Sequence, residues 1–337
     1  MLLAGPAVRA VAAGAREAAM LAGPLGADAA AMLPGVDDVL VWRCPWIVAD
    51  PPPVDRGDVD DLVARLRERA FERALVFTSF HQSPLPTALV LRMAGIPWVG
   101  AISEDYPGSL LDLRHRLPDD VPEAERALSL TTAAGFDLPM GDDGRLRVRG
   151  PLPDVRHLVG TGPYVVLHPG TSVPARAWPA ARYAETARHL TAEGHRVVVT
   201  GAPSESSLTA EAAADVAVDL GGHTDLRQLA AVLAGAGAVV VGNTGPAHLA
   251  AAVGTPVVSL FAPTVPAVRW APYGVPHVLL GDQQAPCRDT RARHCPVPGH
   301  PCLSEVTSDD VRQALGQLTA ERAPSGSAVP SPEEVAS

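Results

Sequence analysis

Short apolar runs alternate with amphipathic stretches along most of this chain, and the alternation predicts a parallel α/β protein. In the first half, apolar runs predict strands at residues 18–22, 36–42, 74–78 and 98–102. Apolar positions with helical spacing predict helices between them at 58–70 and 85–93, and a helix at 122–134 that closes the unit. Strands and helices that alternate in this way form parallel sheets, whose strand ends gather at one edge.

The same alternation begins again after residue 162 and predicts a second α/β unit. Its strands are expected at 164–167, 196–200, 238–241 and 256–261, and its helices at 180–192, 204–214 and 226–234. A last helix near 308–318 is expected to lean back on the first unit.

A polar segment at 141–162, rich in Gly, Asp, Arg and Pro, separates the two units and is interpreted as a linker. The predicted domains are therefore 1–160 and 161–306, followed by a C-terminal helix at 307–322. From 323 to 337 the Pro, Ser, Glu and Ala residues are typical of a disordered tail. Two consecutive α/β domains of similar size predict a cleft between them.

Composition narrows the class of protein. A chain of 337 residues, 47% of them apolar, is long enough for about two domains with a core each. The net charge of −10 argues against general nucleic-acid binding, which needs a basic face. No apolar run is long enough to cross a bilayer, and Arg9 and Arg16 interrupt what would be a poor signal peptide. We therefore expect a cytoplasmic protein whose membrane contact, if it has any, is peripheral.

The most informative segment is VVVGNTGPAHLAAAVGTPVV at 239–258. Three β-branched residues lead into a small polar turn, and an Ala-rich helix and a second apolar run follow. The turn at Thr244 and Gly245 presents backbone N–H groups at a helix N-terminus with little side chain in the way. Such a turn is suited to binding a phosphate or diphosphate.

Three further polar segments follow predicted strands of the second unit. They are HPGTS at 168–172 with Arg176 after it, TGAPSE at 200–205, and an edge loop at 219–222. Any one of them is also consistent with an ordinary turn. Because strand ends of a parallel sheet meet at one edge, four such segments in register predict a ligand site.

The order HPGTS, R-A-W-P, TG-x-x-x-E and NTGPAHLAAAVGTP resembles glycosyltransferase family 9, the ADP-heptose:lipopolysaccharide heptosyltransferase-like enzymes. The likeness is strongest from His168 to Phe261, and residues 2–11 are also similar to the family. The resemblance implies a GT-B fold, in which two Rossmann-like domains face each other across a cleft. It also implies transfer of a sugar from a nucleotide-sugar donor, typically ADP-heptose, to a glycan or lipid-linked acceptor. The anomeric centre would be inverted without a metal or another cofactor.

The resemblance also assigns roles to individual residues. It places Arg176 against the donor diphosphate, Glu205 on the nucleoside ribose, and Thr244 and Gly245 at the phosphates. His248, one helical turn further on, either faces the donor or packs. The expected donor set is completed by the remaining residues of the strand-end segments, which are His168, Gly170, Thr171, Ser172 and Asn243.

Two departures from the family bear on catalysis. Asn243 stands where the family has Asp, so it can hydrogen-bond a hydroxyl but cannot act as a carboxylate. Family members also begin with a strand and a Gly-Asp turn that carries the expected general base, whereas this sequence starts at Met1, inside that turn. We expect the first strand and the base to be absent, and a mis-set start codon is the preferred interpretation.

Acids elsewhere could take the place of that base. Glu104, Asp105 and Asp112 follow the strand predicted at 98–102 and are the best remaining candidates. A solvated acidic loop is an equally good interpretation of these residues. The chain is thus expected to be an inverting glycosyltransferase. The alternatives are an inactive homologue that binds a sugar nucleotide or glycan, and a sugar-nucleotide epimerase.

The cysteines suggest no compact metal site. Cys287, Cys295 and Cys302 lie with His294 and His300 in a Pro-rich loop, and the spacing C-x7-C-x6-C matches no zinc ribbon. Reduced thiols or a local disulfide are favoured over a structural metal.

Overall fold

A computed structural model describes residues 1–48, 50–79, 81–117 and 120–322, without the side chains of 319–322. The expected tail at 323–337 therefore lies outside the described residues. The strands are β1 (Ala19–Ala22), β2 (Asp38–Val41), β3 (Arg73–Val76), β4 (Trp98–Ile102), β5 (Leu113–His115), β6 (Tyr164–His168), β7 (Arg196–Gly201), β8 (Val218–Gly221), β9 (Ala238–Gly242), β10 (Val257–Leu260) and β11 (His277–Leu280). The α-helices are α1 (Gly5–Gly14), α2 (Ala27–Ala31), α3 (Arg56–Arg69), α4 (Leu85–Met93), α5 (Glu123–Ala133), α6 (Arg156–Val159), α7 (Ala180–Ala192), α8 (Ser206–Ala213), α9 (Leu226–Gly235), α10 (Gly245–Ala252), α11 (Ala267–Trp270), α12 (Pro301–Ser304) and α13 (Ser308–Arg322).

The second half contains a six-stranded parallel sheet in the order β11-β10-β9-β6-β7-β8. Successive side chains of a strand point to opposite faces, and the central strand β9 shows why its β-branched run suits this position. Val239 and Val241 belong to the core on one face, while Val240 belongs to the core on the other. All three side chains are fully buried, so β9 lies at the centre of the domain.

The first half divides its strands between two parallel sheets, β1-β2 and β3-β4-β5. Within the described residues, no ladder joins β1 to β3. The two sheets share one core, in which Leu21 and Leu40 pack with Val76 and Val99. Helix α1 packs against α5. The expectation that a first strand is absent stays a prediction.

The two halves are packed together through the first residues of the chain. Leu2 and Val8 share a buried cluster with Leu249 of α10. Within the first half, Arg9 of α1 forms a two-pronged ion pair with Asp142, through Nε at 2.6 Å and Nη2 at 2.8 Å. The segment expected to be a linker is irregular except for α6, and it contributes to the packing. The exact domain limits remain an interpretation.

The structure corrects the expected position of the C-terminal helix. Helix α13 packs on α7 and on the sheet of the second half, so the expectation that it leans on the first unit is wrong. Its apolar side chains Val311, Leu315 and Leu318 are buried in the core of that half. The stripe that they form at helical spacing fits the adjacent face of the sheet.

The expected edge loop at 219–222 is also wrong, because Val218–Gly221 is the edge strand β8. Asp219 accepts a hydrogen bond from the backbone N–H of Gly221 at 2.8 Å. Short edge strands often carry charged residues, which hides them from an apolar pattern. Strands β5 and β11 are likewise missing from the prediction. In the described part of the chain, no helix has the length and apolar character required to span a bilayer.

Candidate functional site

The ends of the central strands bring most of the expected donor residues to one edge of the second sheet. Strand β6 ends at His168, β7 at Gly201 and β9 at Gly242, and β6 pairs with both neighbours. The loops that follow these strands therefore lie side by side.

Arg176 lies directly against the turn that follows β9. It ends a short 3-10 helix at Pro174–Arg176, and its Nη1 donates to the backbone oxygen of Asn243 at 3.3 Å. A Cβ built at Gly242 would come within 3.3 Å of the Arg176 carbonyl oxygen. Gly242 therefore allows the two backbones to approach closely.

Several polar atoms around this turn are shielded from solvent and have no hydrogen-bond partner in the described part of the chain. They are Nε of Arg176, both amide atoms of Asn243 and Nδ1 of His248. Asn243 is only 5% exposed. A polar atom buried without a partner costs about 1–3 kcal/mol. The arrangement is therefore typical of a site that a polar ligand completes.

Burial also sets the protonation of this site. It lowers the pKa of His248 to about 4, and nearby positive charges, including Arg176, act in the same direction. The imidazole is therefore neutral at physiological pH, so one of its ring nitrogens donates a hydrogen bond and the other accepts one. Burial lowers the pKa of Arg176 as well, although a guanidinium remains charged.

Helix α10 begins at Gly245 with Pro246 in its first turn and no side chain capping its N-terminus. A Cβ built at Gly245 would meet no atom within 4 Å, so the backbone faces open space. A helix N-terminus next to a guanidinium favours an anion. The geometry of Arg176, Thr244 and Gly245 is therefore suited to a diphosphate.

Glu205 lies across the edge from this turn. Its Oε2 accepts a hydrogen bond from the backbone N–H of Ala202 at 2.8 Å, which holds the carboxylate at the end of β7. The carboxylate lies over the backbone of Gly170. The structure thus brings Glu205 and Gly170 together, as the strand-end pattern predicts.

His168, Thr171 and Ser172 make contacts of a different kind. The His168 imidazole is 6% exposed, and its Nδ1 lies 2.9 Å from Oγ1 of Thr200 on the next strand. Burial lowers the pKa of His168 to about 4. Thr171 accepts a hydrogen bond from the N–H of Val173 through Oγ1 at 3.2 Å, and Ser172 is exposed. Their part in donor binding stays a prediction.

The loop that contains Cys287, Cys295 and Cys302, here called the cysteine loop, supports the 3-10 turn at Pro174–Arg176. The sequence did not reveal this contact. The N–H of Ala175 donates to the carbonyl of Arg293 at 2.9 Å, and Nε2 of His300 lies 3.1 Å from the Ala175 carbonyl. All four cysteines are free thiols, with Cys287 and Cys302 buried. In the residues that the structure describes, no group of three or more His, Cys, Asp or Glu side chains could hold a metal ion.

The acidic candidates are divided by the structure. Glu104 and Asp105 line a cavity of about 260 Å³ between the two halves, together with Arg126 and Arg269. Asp112 does not line it. Its Oδ2 accepts from Nη2 of Arg92 and from the N–H of Val99, each at 2.7 Å, which ties it to the sheet.

The sequence profile of "Glycosyltransferase family 9 (heptosyltransferase)" matches residues 59–300. The lipopolysaccharide heptosyltransferase 2 of Escherichia coli K12 is 30% identical over 236 residues, which are 62% of this chain and 65% of that protein. The chain thus matches less than two thirds of the length of this and the next curated relatives.

Two solved structures are similar over nearly the whole chain. E. coli ADP-heptose LPS heptosyltransferase II superposes with a TM-score of 0.70 at 21% identity, covering 95% of each chain. A family 9 glycosyltransferase from Veillonella parvula gives a TM-score of 0.73 at 15% identity, covering 95% of this chain and 93% of that one. These likenesses confirm the predicted fold, a GT-B arrangement of two Rossmann-like domains.

Proposed function

The chain belongs to glycosyltransferase family 9, and on this basis we propose that it transfers a heptose-like sugar from a nucleotide-sugar donor to a glycan or lipid-linked acceptor. The observation that carries the proposal is the set of buried, unpartnered polar atoms of Arg176, Asn243 and His248, which surround the N-terminus of α10. Relatives named as lipopolysaccharide heptosyltransferases support an ADP-heptose-like donor and a lipopolysaccharide-type acceptor.

In the proposed reaction the second domain stabilises the departing nucleoside diphosphate. Arg176 and the amides at the start of α10 would bind its phosphates, where negative charge develops as the glycosidic bond breaks. Glu205 would accept hydrogen bonds from the ribose hydroxyls. His248 and Asn243 are uncharged, and each has both donor and acceptor atoms, so they would contact the donor's hydroxyl groups.

Direct displacement with inversion also needs a base beside the acceptor hydroxyl. Glu104 and Asp105 are the acids of the original three that line the cavity between the domains. We assign the base role to this pair in the chain as given. Asp112 is held by Arg92 and the Val99 amide and is not part of the proposal.

Calorimetric titration with ADP and ADP-heptose tests the donor site, and mass spectrometry of added glycan acceptors tests transfer. Binding of ADP together with a mass gain of one sugar on an acceptor is the expected result. Absence of binding to every nucleotide sugar tried would refute the donor site. Binding without transfer would identify an inactive homologue, and turnover without an acceptor would identify an epimerase.

A further inference from the structure

Three thiols converge within the cysteine loop. Sγ of Cys287 lies within hydrogen-bond reach of the thiols of both Cys295 and Cys302. Cys287 and Cys302 belong to the core that α7 and α13 form with the second sheet. Cys295 lies at the border of that core, because its Sγ donates to the carbonyl of Val297 at 3.4 Å and Val297 packs against the core. Thiols that lie this close together can be joined covalently with little movement of the backbone.

The three thiols differ in how easily a reagent in solution reaches them. Cys287 is 1% exposed and Cys302 is 3% exposed, whereas Cys295 is only half-buried. Burial raises the pKa of the Cys287 thiol, and it raises the pKa of Cys302 to about 12. The thiolate is the form that reacts with oxidants, so these two buried, protonated thiols are unreactive in the reduced protein. An oxidant therefore reacts first at Cys295, and Cys287 is the thiol beside it.

The stretch between Cys287 and Cys295 is tied to the donor edge of the second sheet. The carbonyl of Arg293, two residues before Cys295, accepts the hydrogen bond from the N–H of Ala175 at 2.9 Å. Two further backbone hydrogen bonds join the same stretch to the loop after β10, from Asp289 to Pro263 at 2.9 Å and from Arg291 to Thr264 at 2.8 Å. A change in the shape of this stretch is therefore transmitted to the segment that carries Arg176.

We propose that Cys295 is an oxidation site, at which hydrogen peroxide leads to a disulfide with Cys287. In the first step the O–O bond of the peroxide breaks, and Sγ of Cys295 takes one oxygen to give a sulfenic acid and one water. Sγ of Cys287 then bonds to that sulfur, and its proton leaves with the sulfenic hydroxyl as a second water. The two thiols lose two electrons in total, and the peroxide is reduced to two molecules of water.

The disulfide would weaken donor binding, and this consequence rests on the proposed function. Free thiols in contact leave the stretch in the shape in which Arg293 holds Ala175, whereas a covalent bond draws Cys295 toward Cys287. The hydrogen bond between Arg293 and Ala175 is then lost, and Arg176 moves relative to the N-terminus of α10. The affinity for ADP should fall about tenfold, which corresponds to one misplaced charge-assisted contact. Reduction of the disulfide should restore it.

Peptide mapping by mass spectrometry tests the modification on the full chain, before and after treatment with hydrogen peroxide and with free thiols blocked. Trypsin cuts the denatured chain after Arg288, Arg291 and Arg293, so Cys287 and Cys295 fall in separate peptides that only a disulfide holds together. Cys302 shares the peptide of Cys295, and fragmentation of the linked pair distinguishes the two. A bond between Cys287 and Cys295 that dithiothreitol removes is the expected result. No disulfide, or one between another pair, overturns the inference.

Calorimetric titration with ADP compares the reduced, oxidised and re-reduced chain. The variant Cys295→Ser should bind ADP normally and lose the response to peroxide. Cys44→Ser is the matched control, since Cys44 is a half-buried thiol of the first half, outside the cluster, and this variant should keep the response. A response that survives in a folded Cys295→Ser variant overturns the inference, as does unchanged or tighter ADP binding by the disulfide form.

The two proposals fail in different ways. Peptide mapping of the unmodified chain needs neither a variant nor ADP, so it decides on the disulfide even if Cys295→Ser does not fold. A reduced chain that does not bind ADP refutes the donor site. Normal ADP binding by the reduced chain without formation of the disulfide refutes only the oxidation site.

Discussion

The backbone of Gly170 lies directly beneath the carboxylate of Glu205. A Cβ at position 170 would fall 2.5 Å from the carboxylate carbon of Glu205, far inside van der Waals contact. The obstructing atoms are the end of a flexible side chain, so the fold can accommodate a methyl group only by moving that carboxylate. Gly170 is thus a requirement of the proposed nucleoside contact more than of the fold.

Gly170→Ala should therefore weaken ADP binding about tenfold or more while leaving the melting temperature near its original value. The loss corresponds to one hydrogen bond to a charged group. Calorimetric titration with ADP measures it. In a Glu205→Ala background the same substitution should have no further effect, because the carboxylate that it displaces is gone. Additive losses would show that Gly170 acts by another route.

Arg176→Gln should weaken ADP binding about 10–100-fold, since it removes a charge-assisted contact to the diphosphate. The ADP affinity of Arg176→Lys should lie between those of the wild type and Arg176→Gln, because an ammonium keeps the charge but lacks the planar fork of a guanidinium. Adenosine is the matched control ligand, and its affinity should not change in either variant. A similar loss for adenosine and ADP would place the effect of the substitution on the fold.

The pH dependence of stability should reflect His168. Its folded pKa of about 4 lies below the ordinary value of 6.5, so the folded state resists protonation. The contribution of His168 to the free energy of unfolding is complete above pH 6.5. It is lost as pH falls from 6.5 to 4, by up to about 1.4 kcal/mol per pH unit. Urea unfolding of the wild type and of His168→Gln between pH 7.5 and 5 measures this. The variant should show a shallower decline, and parallel curves would contradict the assignment.

The Arg9–Asp142 pair should affect the pH dependence of stability at lower pH than His168 does. A hydrogen bond from Arg9 holds the pKa of Asp142 at about 2, below its ordinary value of 3.8. The stabilisation is therefore complete above about pH 4 and is lost as pH falls toward 2. Asp142→Asn should reduce the free energy of unfolding at pH 7 by about 3–5 kcal/mol, because Arg9 stays buried without its partner.

The neighbouring Asp143 provides the control for this pair. Its side chain is 48% exposed and lies 2.9 Å from Nη2 of Arg147, so Asp143→Asn should change stability by about 1 kcal/mol or less. Urea unfolding at pH 7 gives both values. Equal losses of unfolding free energy in Asp142→Asn and Asp143→Asn would show that the buried pair stabilises the fold no more than the exposed one.

The sequence predicted the long, regular elements well. The helices Leu85–Met93 and Ala180–Ala192 and the strand Trp98–Ile102 have their predicted limits. Their periodicity is strong, and Gly or Pro stands close to their ends. The strands Leu113–His115 and His277–Leu280 were missed. They are only three and four residues long and include an arginine or a histidine, so neither gives a clear apolar pattern.

The same distinction applies to the site. The strand-end segments are local patterns, so Arg176, Glu205, Thr244 and Gly245 could be proposed from spacing and resemblance. The contact between Arg269 and Glu123 joins residues 146 positions apart, and that between His300 and Ala175 joins residues 125 apart. Such contacts depend on how domains and loops pack, which no local periodicity encodes.

The bracing of Ala175 limits how this site could be moved to another scaffold. The segment at 174–176 rests on Gly242 on one side and is held by Arg293 and His300 on the other. A graft of the segment 174–176 and α10 alone would lack the contacts that hold this segment, so Arg176 could rotate away from the phosphates. The smallest transplantable unit is therefore three separate pieces of chain, and the cysteine loop is one of them.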